Sequence, residues 1–396
     1  MMKLNIDDEF KTVIEGIEAG RYETPLQIPE RAWYSKGWEL IGKKKFEELM
    51  LPFLNWQINR ARTQMPDIYS SPYAEKKIGK IDEISDFWEI PGLIKDSKKG
   101  SLGIRHKVKI NPKVMLPRDV QSPCFVYKSG GTRGVPTPTF ITRKDREIES
   151  WGFARGFEYE GMERGDIALT TYNPTHKGGE EIKEGFEKAG ITAILKRTTD
   201  SAKDTIETMK TYGVNILLTV QGPVHEHEAQ QKSTGANLLN LIEEGQETLE
   251  KLKVLFLGGY RLIPEATAWS DAHNIPLVTL LGSSEAIPQA TNTNFGPRNR
   301  TCVGNNLHTL NGPHYIEILK EEGGLLVPAK KNEDGILAYT TIAREGTIYI
   351  RYLPGDSAKI IKNEGECECG LKSSVITDVG RIDIPEDVLQ TGCCIG

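Results

Sequence analysis

Short apolar segments alternate with polar segments of helical length between residues 166 and 282, and this alternation constrains the fold more than any other feature. The apolar segments read DIALTTY, ITAILKR, VNILLTV, KVLFLGG and PLVTLLG. The segments between them have the length and the polar composition of surface helices, as in GGEEIKEGFEKAG. Such alternation is typical of a parallel sheet covered by helices. The sequence therefore predicts an α/β body.

The N-terminal part of the chain has a helical pattern instead. In DEFKTVIEGIEAG the apolar residues recur with the helical period, and they would share one face: Phe10, Val13, Ile14 and Ile17. Gly20 is a typical helix stop. A second helix is predicted in FEELMLPFLNWQINRAR, where Pro52 indicates a kink or a boundary.

After Gly282 the pattern changes to short strands, in HYIEILK, GILAYTTI, GTIYIRY and SAKIIK. No long linker divides the chain, so we expect one compact core over residues 1–380. It would be mainly helical over 1–115, α/β over 116–282 and β-rich over 283–380, with a short tail at 381–396.

Composition argues against several classes of protein. The 396 residues carry 50 basic and 55 acidic side chains, and the net charge of −5 argues against a nucleic-acid binder. No window approaches the ~20 apolar residues of a membrane helix, and MMKLNIDDEF lacks the apolar core of a secretory signal. Six cysteines in this length do not suggest a disulfide scaffold. We therefore expect a cytoplasmic protein that acts without a membrane or nucleic acid.

Four loops carry residues suited to binding a ligand, and ligands gather where the strands of an open parallel sheet end. Glycine and serine alone indicate an ordinary turn, but a glycine-rich backbone also lets N–H groups and hydroxyls surround a phosphate. The four loops are SGGTRGVP at 129–136, LLGSSEAIPQ at 280–289, YLPGDSAKI at 352–360 and DVGRIDIPED at 378–387. Their order and spacing together are more specific than any one of them.

This combination resembles the adenylate-forming superfamily, in its phenylacetate–CoA ligase branch. SGGTRGVP is similar to the family's loop S-S/G-G-T-T-G-x-P, and LGSSE, YLPGD and GRID are similar to its later motifs. CECG at 367–370 and TYNPTHKGGEEIKEGFEKAGITAI are further traits of this branch. The resemblance covers roughly residues 80–383. It implies the N-terminal large domain of an adenylate-forming enzyme, with parallel-sheet α/β subdomains and a β-rich subdomain.

The resemblance implies a site for ATP and Mg²⁺. Glu285 would hold Mg²⁺, which prefers carboxylate and phosphate oxygens, and Asp356 would accept hydrogen bonds from the ribose hydroxyls. Thr132 and Arg381 would act with Glu285 in catalysis. The phosphates would lie against a loop made of Ser129, Gly130, Gly131, Thr132 and Gly134. Further nucleotide contacts would come from Gly258, Gly259, Tyr260, Gly282, Ser283 and Ser284.

Each of these residues also has an ordinary structural interpretation. An acid such as Glu285 after two serines is favoured at a helix N-terminus, and Gly-Asp is common in turns. The segment NPTHKGGEE would face the acid-binding pocket, which the resemblance builds from His176, Lys177, Gly178, Gly179 and Gly222. Lys177 would bind the substrate carboxylate or would be a solvated loop cation.

Three departures from the family pattern affect the prediction. Arg133 replaces the second threonine of the phosphate loop, and Leu281 replaces a tyrosine that packs on the adenine. Only 13 residues follow the hinge residue Asp383, where the family has a further domain. That domain is therefore predicted to be absent, as in adenylating enzymes of phenazine biosynthesis, and CoA ligation by this chain alone is doubtful.

Two cysteine pairs leave alternatives open. Cys393 and Cys394 would be incidental tail residues, or an acyl acceptor as in the acyl-protein synthetase of bacterial luminescence. Cys367 and Cys369 would be half of a zinc site completed by the tail pair, although the C-x-C spacing is unorthodox for zinc.

The resemblance implies ATP-dependent activation of a small carboxylic acid, aryl in one reading, to an acyl adenylate. The acyl group would pass to a separate acceptor, a protein or a small molecule. The sequence leaves open whether the chain forms a homodimer. The alternatives are an acyl-protein synthetase that uses a C-terminal cysteine and a non-catalytic nucleotide- or adenylate-binding subunit that needs a partner.

Overall fold

The structure is a computed structural model of the chain. It describes residues 7–35, 37–69, 80–95, 104–128, 136–220, 235–258, 262–291, 302–323 and 325–384, without the side chains of 105 and 159.

The α-helices whose two ends lie within the described residues are α1 (Asp8–Glu18), α2 (Gly37–Leu40), α3 (Lys43–Gln64), α4 (Ile84–Phe87), α5 (Ile104–Ile110), α6 (Arg143–Tyr159), α7 (Lys177–Ala189), α8 (Ala202–Tyr212), α9 (Leu238–Leu249) and α10 (Pro264–His273). Short 3₁₀ helices occupy Pro25–Gln27, Glu30–Tyr34 and Pro112–Met115. Among the described residues, none of the helices is both long enough and apolar enough to cross a lipid bilayer.

The strands of the described residues are β1 (Leu93–Ile94), β2 (Cys124–Lys128), β3 (Pro138–Thr142), β4 (Ile167–Thr170), β5 (Thr192–Leu195), β6 (Ile216–Thr219), β7 (Val254–Gly258), β8 (Leu277–Leu281), β9 (Ala290–Thr291), β10 (Leu307–Thr309), β11 (His314–Glu322), β12 (Leu325–Pro328), β13 (Asp334–Thr341), β14 (Tyr352–Leu353), β15 (Asp356–Lys362) and β16 (Val375–Arg381).

The described residues fall into two compact units. Unit 1 comprises those of Met1–Ile148, Ser284–Ala286 and Thr309–Gly396, and unit 2 comprises those of Glu149–Ser283 and Ile287–His308. Unit 1 therefore joins the helical N-terminal part to the β-rich C-terminal part. Composition along the chain gives no sign of that long-range association.

Unit 2 contains the predicted parallel sheet. Its strands pair in the order β5, β4, β6, β7 and β8, all parallel, and β9 pairs antiparallel to β8. Alternate strand residues enter different cores, because successive side chains of a strand point to opposite faces. Leu217 and Leu255 pack with residues of α8–α10, whereas Ile216 and Phe256 pack with residues of α6 and α7.

Unit 1 contains a mainly antiparallel set of strands. β13 pairs with β11 and with β14 and β15, while β12 pairs with β11 and β16 with β15. β1 adds to β14 in parallel, and β2 and β3 form a separate hairpin. Tyr315 of β11 contacts the rings of Phe46 and Phe87, so the N-terminal helices pack on these strands.

Two local predictions were wrong, a helix boundary at Pro52 and a strand over GTIYIRY. Pro52 does not end its helix, since α3 runs from Lys43 to Gln64 with Pro52 inside it. Leu49, Met50 and Phe53 are buried around Pro52, and this packing offsets the roughly 3 kcal/mol cost of an interior proline.

GTIYIRY was the second error, because only its last residue is in a strand. The backbone N–H of Thr347 donates to the Phe140 carbonyl of β3 at 2.9 Å, whereas other N–H groups of the segment donate to side chains. Tyr349 N donates to Thr341 Oγ1, Ile350 N to Tyr69 Oη and Arg351 N to Thr340 Oγ1. An alternating sequence cannot distinguish this arrangement from a sheet.

Candidate active site

The predicted phosphate loop lies between two paired strands. Its proposed ligands, Ser129, Gly130, Gly131, Thr132 and Gly134, lie outside the described residues. The flanking strands β2 and β3 pair antiparallel, with Lys128 opposite Pro138. The hairpin therefore fixes the two points between which the predicted loop must run.

Glu285 is buried within unit 1 and is held by three residues. Lys95 Nζ lies 2.6 Å from Glu285 Oε1, and Tyr352 Oη donates to the same oxygen at 3.1 Å. Arg344 donates to the backbone carbonyl of Glu285 at 3.3 Å. The Glu285 side chain is 1% exposed and that of Lys95 10% exposed, so the ion pair is shielded from water.

The surroundings of Glu285 keep it ionised. Burial alone would raise its pKa, but the charge and hydrogen bond of the Lys95 ammonium and the Tyr352 hydroxyl hold it below its ordinary value. The pKa of Tyr352 is raised well above its usual range, because the ring is buried and lies beside the Glu285 charge. Tyr352 is therefore a neutral hydrogen-bond donor to a carboxylate.

Strand pairing places Lys95 and Tyr352 together. Leu93 and Ile94 of β1 lie opposite Tyr352 and Leu353 of β14. The backbone N–H of Lys95 continues this pairing and donates to the Leu353 carbonyl at 3.2 Å. Lys95 thus directly follows β1, the strand that pairs with Tyr352 and Leu353.

Arg351 binds the backbone of the segment just before β1. Its guanidinium donates to the carbonyls of Trp88 at 2.9 Å and Ile90 at 2.7 Å. It also forms a two-point contact with Glu317, each distance being 3.3 Å. Arg351 has a φ of 43°, which is unusual for a residue with a side chain. These contacts position the backbone that leads to Lys95.

Tyrosines connect β3, the strand that follows the predicted phosphate loop in the chain, to Glu285. Thr139 of β3 hydrogen-bonds to Tyr349 Oη at 2.9 Å, and the rings of Tyr349 and Tyr352 lie 4.6 Å apart. Tyr352 in turn donates to Glu285. The strand that follows the predicted loop is therefore linked to the predicted metal ligand inside one unit.

Asp356 and Arg381 lie opposite each other on β15 and β16. Arg381 Nε is 3.2 Å from Asp356 Oδ1, and its Nη1 donates to the Pro354 carbonyl at 3.3 Å. Sequence reasoning assigned both residues to the nucleotide but did not anticipate this ion pair. Asp356 lies three positions after Leu353, whose carbonyl accepts the backbone hydrogen bond of Lys95.

Unit 2 holds several of the other predicted nucleotide contacts. Gly258 is buried at the end of β7, and a Cβ there would lie 2.5 Å from Tyr172 Oη. A side chain at position 258 would therefore require the Tyr172 side chain to shift. Gly259 and Tyr260 lie outside the described residues.

The segment after β8 is divided between the units. Gly282 is exposed, and Ser283 Oγ accepts a hydrogen bond from Gln289 at 3.0 Å, both in unit 2. Ser284 is buried in unit 1 beside Glu285 in the chain. The nucleotide roles of these residues stay predictions.

The predicted acid-pocket segment begins α7. His176 is the exposed N-cap, and its Nδ1 accepts a hydrogen bond from Gly178 N at 3.3 Å. Partial desolvation of the ring and the neighbouring Lys177 charge lower the pKa of His176. Gly179 is closely packed, since a Cβ would lie 2.1 Å from the Asn173 carbonyl oxygen. Gly222 lies outside the described residues.

Lys177 is not a solvated loop cation. Its side chain is 0% exposed, and Nζ lies 2.8 Å from Glu149 and 3.7 Å from Glu181. The ammonium is therefore already paired with buried carboxylates of unit 2. A role in binding the substrate carboxylate stays a prediction.

Cys367 and Cys369 are buried in unit 1, in a turn where Gly370 N donates to the Cys367 carbonyl. Cys393 and Cys394 lie outside the described residues. The predicted zinc pairing and the acyl-acceptor role of the tail cysteines stay untested.

Sequence reasoning missed Lys95, Tyr352, Tyr349 and Arg351. The only available signal for Lys95 was a lysine after the short apolar pair LI in GLIKDSKKG. The tyrosines lie in YIRYLPGD, directly before the predicted ribose ligand. Their proximity to Glu285 depends on strand pairing that the sequence does not reveal.

Known acyl-CoA ligases are similar to this chain. No family model matches the sequence. A phenylacetate–coenzyme A ligase of Aromatoleum evansii is 23% identical over 340 residues, which are 82% of this chain and 68% of that enzyme.

Solved structures of 2-hydroxyisobutyryl-CoA ligase have the same fold. One is in the postadenylation state in complex with 2-HIB-AMP, and has a TM-score of 0.68 and 16% identity over 90% of this chain and 70% of its own. Another, in complex with 2-HIB-AMP and CoA in the thioesterification state, has a TM-score of 0.68 and 18% identity over 89% and 72%. The predicted fold class, the α/β large domain of adenylate-forming enzymes, is confirmed.

Proposed function

We propose that this chain activates a carboxylic acid with ATP, giving an acyl adenylate and pyrophosphate. A carboxylate oxygen of the acid forms a bond to the α-phosphorus, and the bond to pyrophosphate breaks with its electron pair leaving on pyrophosphate. Such a reaction needs positioned charges rather than a covalent intermediate on the protein. The observation that carries the proposal is the buried, ionised Glu285, held by Lys95 and Tyr352.

The residues at Glu285 fit a magnesium ion. Mg²⁺ is usually held through one or two carboxylates together with substrate phosphates, and Glu285 supplies one ionised carboxylate. Its hydrogen bonds from Lys95 and Tyr352 both fall on Oε1. Bound Mg²⁺ would neutralise charge on the ATP phosphates. Asp356 would accept hydrogen bonds from the ribose hydroxyls.

Similarity to the phenylacetate–coenzyme A ligase supports an acid of aryl or comparably compact shape. The 2-hydroxyisobutyryl-CoA ligase structure in the thioesterification state contains 2-HIB-AMP and CoA. We propose CoA, another small thiol or a protein as the acceptor, to be tested separately from adenylation.

The test is acid-dependent exchange of labelled pyrophosphate into ATP, with pools of aryl and aliphatic acids and Mg²⁺. Exchange with any pool, lost in Glu285→Ala but kept in Glu333→Ala, would support adenylation. Glu333 is a matched control, because it pairs with Lys320 at 2.9 Å on the surface of the same unit. Binding of ATP without exchange for any acid would contradict the proposal and favour a non-catalytic nucleotide-binding subunit.

A further inference from the structure

Lys95 and Glu285 form an ion pair that the packing alone does not require. They are separated by 190 positions in the chain, and both side chains are shielded from water. Removing two charges from water is expensive, and an apolar pair of similar volume is often at least as stable. The pair therefore points to a use for a cation at this position.

Lys95 lies close in the fold to Asp356, the proposed ribose ligand. Its backbone N–H donates a hydrogen bond to the Leu353 carbonyl, and Asp356 follows Leu353 by three residues. Three residues of extended chain span about 10 Å at most. A ribose held by Asp356 would present its 5′ side, which carries the α-phosphate, within the reach of a lysine side chain from β1.

We propose that Lys95 is a catalytic residue whose ammonium contacts the α-phosphate of ATP during adenylation. This inference rests on the proposed function. When the acid's oxygen bonds to the α-phosphorus and pyrophosphate leaves, negative charge on the α-phosphate oxygens needs a nearby cation. Glu285 holds the Lys95 side chain in place between turnovers.

Two neighbouring contacts determine the direction of the lysine. Tyr352 donates to the same Glu285 oxygen as Lys95, which fixes the carboxylate. Arg351 holds the carbonyls of Trp88 and Ile90, just before β1. Tyr352 and Arg351 are thus positioning residues, whereas Lys95 is the group that would contact the substrate.

The test compares the binding of AMP with the binding of adenosine, which lacks the phosphate. In Lys95→Met we expect affinity for AMP to fall at least tenfold while affinity for adenosine changes less than threefold. The rate of ATP–pyrophosphate exchange at saturating ATP should fall about 100- to 1,000-fold, as for loss of one charge-stabilising donor. Lys95→Arg should retain most of the AMP preference, because it retains the charge.

Lys95→Met leaves Glu285 buried without its partner, so this variant can fail to fold. Lys95→Gln is the second variant, since its amide can still donate to Glu285 but carries no charge. It should lose the AMP preference as Lys95→Met does. Lys144→Gln is the control, because Lys144 forms a partly buried ion pair with Glu30 at 2.7 Å in the same unit.

The outcomes separate the two proposals. If the unaltered chain shows neither AMP binding nor exchange, the proposed function fails. If the unaltered chain binds AMP and exchanges pyrophosphate, but folded Lys95→Gln keeps the AMP preference and at least one fifth of the rate, only the role of Lys95 is overturned. A selective loss of AMP affinity in Lys95→Gln, absent in Lys144→Gln, supports that role.

Discussion

Arg381 lies directly opposite Asp356 on neighbouring antiparallel strands, and its Nε is 3.2 Å from an oxygen of that carboxylate. Asp356 is 15% exposed, whereas Arg381 is 62% exposed. Asp356, the predicted ribose ligand, is thus ion-paired with Arg381, a residue of the predicted hinge motif. A nucleotide at this site would either share Asp356 with Arg381 or displace the arginine.

The first prediction concerns nucleotide affinity at this pair. Asp356→Ala should weaken ATP binding about tenfold to a hundredfold, because hydrogen bonds to a charged group are worth about 1.5–3 kcal/mol. Arg381→Ala should change ATP affinity less than tenfold, since the arginine is exposed to water and ion pairs of exposed groups contribute about 0–1 kcal/mol. Both dissociation constants can be measured by calorimetric titration.

Asp334→Ala is the control for Asp356→Ala. Asp334 lies opposite Lys359 on β13 and β15 and pairs with it at 3.5 Å, with the aspartate 75% exposed. Its removal should leave ATP affinity unchanged. Equal losses in the two aspartate variants would argue against a ribose role for Asp356.

The second prediction concerns Arg351 and Glu317. Arg351→Met should lower the free energy of unfolding by about 3–5 kcal/mol, because it leaves a buried carboxylate without its partner. The double variant Arg351→Met, Glu317→Gln should recover part of that loss, since it removes the uncompensated charge. Urea denaturation measures both. No recovery in the double variant would mean that the carbonyl contacts of Arg351, rather than Glu317, dominate its contribution.

The third prediction compares two adjacent glycines at the start of α7. Gly179→Ala should destabilise the protein, because the new Cβ would lie 2.1 Å from the Asn173 carbonyl oxygen, which accepts a hydrogen bond from His176. Gly178→Ala is the matched control, with its nearest neighbour, Ile287 Cδ1, at an ordinary 3.6 Å. It should be neutral or stabilising by up to about 1 kcal/mol, since alanine is a better helix former.

Thermal unfolding of the two glycine variants distinguishes these cases. A lower midpoint for Gly179→Ala with no decrease for Gly178→Ala is the expected result. Two unchanged midpoints would show that the loop before α7 moves readily to admit a methyl group.

The fourth prediction concerns pH and Asp166 in unit 2. Burial would raise the Asp166 pKa, but hydrogen bonds from Glu163 N, Lys253 and Asn215 lower it below its ordinary value of 3.8. A lowered folded-state pKa contributes stability above the unfolded-state value, and this contribution is lost as pH falls through the folded-state value. Asp166→Asn should therefore be less stable than the unaltered chain at pH 7.

The difference in free energy of unfolding should decrease as the pH is lowered below about 3.8, where unfolded Asp166 becomes protonated. Denaturant titrations of the two proteins between pH 7 and pH 3 measure it. Asp271→Asn, on α10 of the same unit, serves as the control for the loss of an aspartate. A difference independent of pH would assign the effect to shape rather than charge.

Local sequence pattern determined most of the secondary structure. The apolar segments predicted as strands in unit 2 became β4 to β8, and the polar segments between them became α7 to α10. Periodicity is a local property: a strand or helix buries one set of side chains at a fixed spacing, which is visible in the sequence. The fold class followed from the same alternation.

Tertiary structure decided what local pattern could not. Pro52 was accommodated because neighbouring side chains are buried around it, and GTIYIRY was kept out of a sheet by side chains distant in the sequence, including Tyr69. Both outcomes depend on partners that no short window of sequence contains.

The candidate site divides in the same way. The motifs around Glu285, Asp356 and Arg381 were recognisable in the sequence because a phosphate, a metal and a ribose each require particular residue types in particular turns. Lys95 was not recognisable, since a lysine after two apolar residues is commonplace. Only the pairing of β1 with β14, and the burial that results, brings it to Glu285 across 190 positions. A charge acquires its chemical role from what surrounds it, and those surroundings are made by the fold.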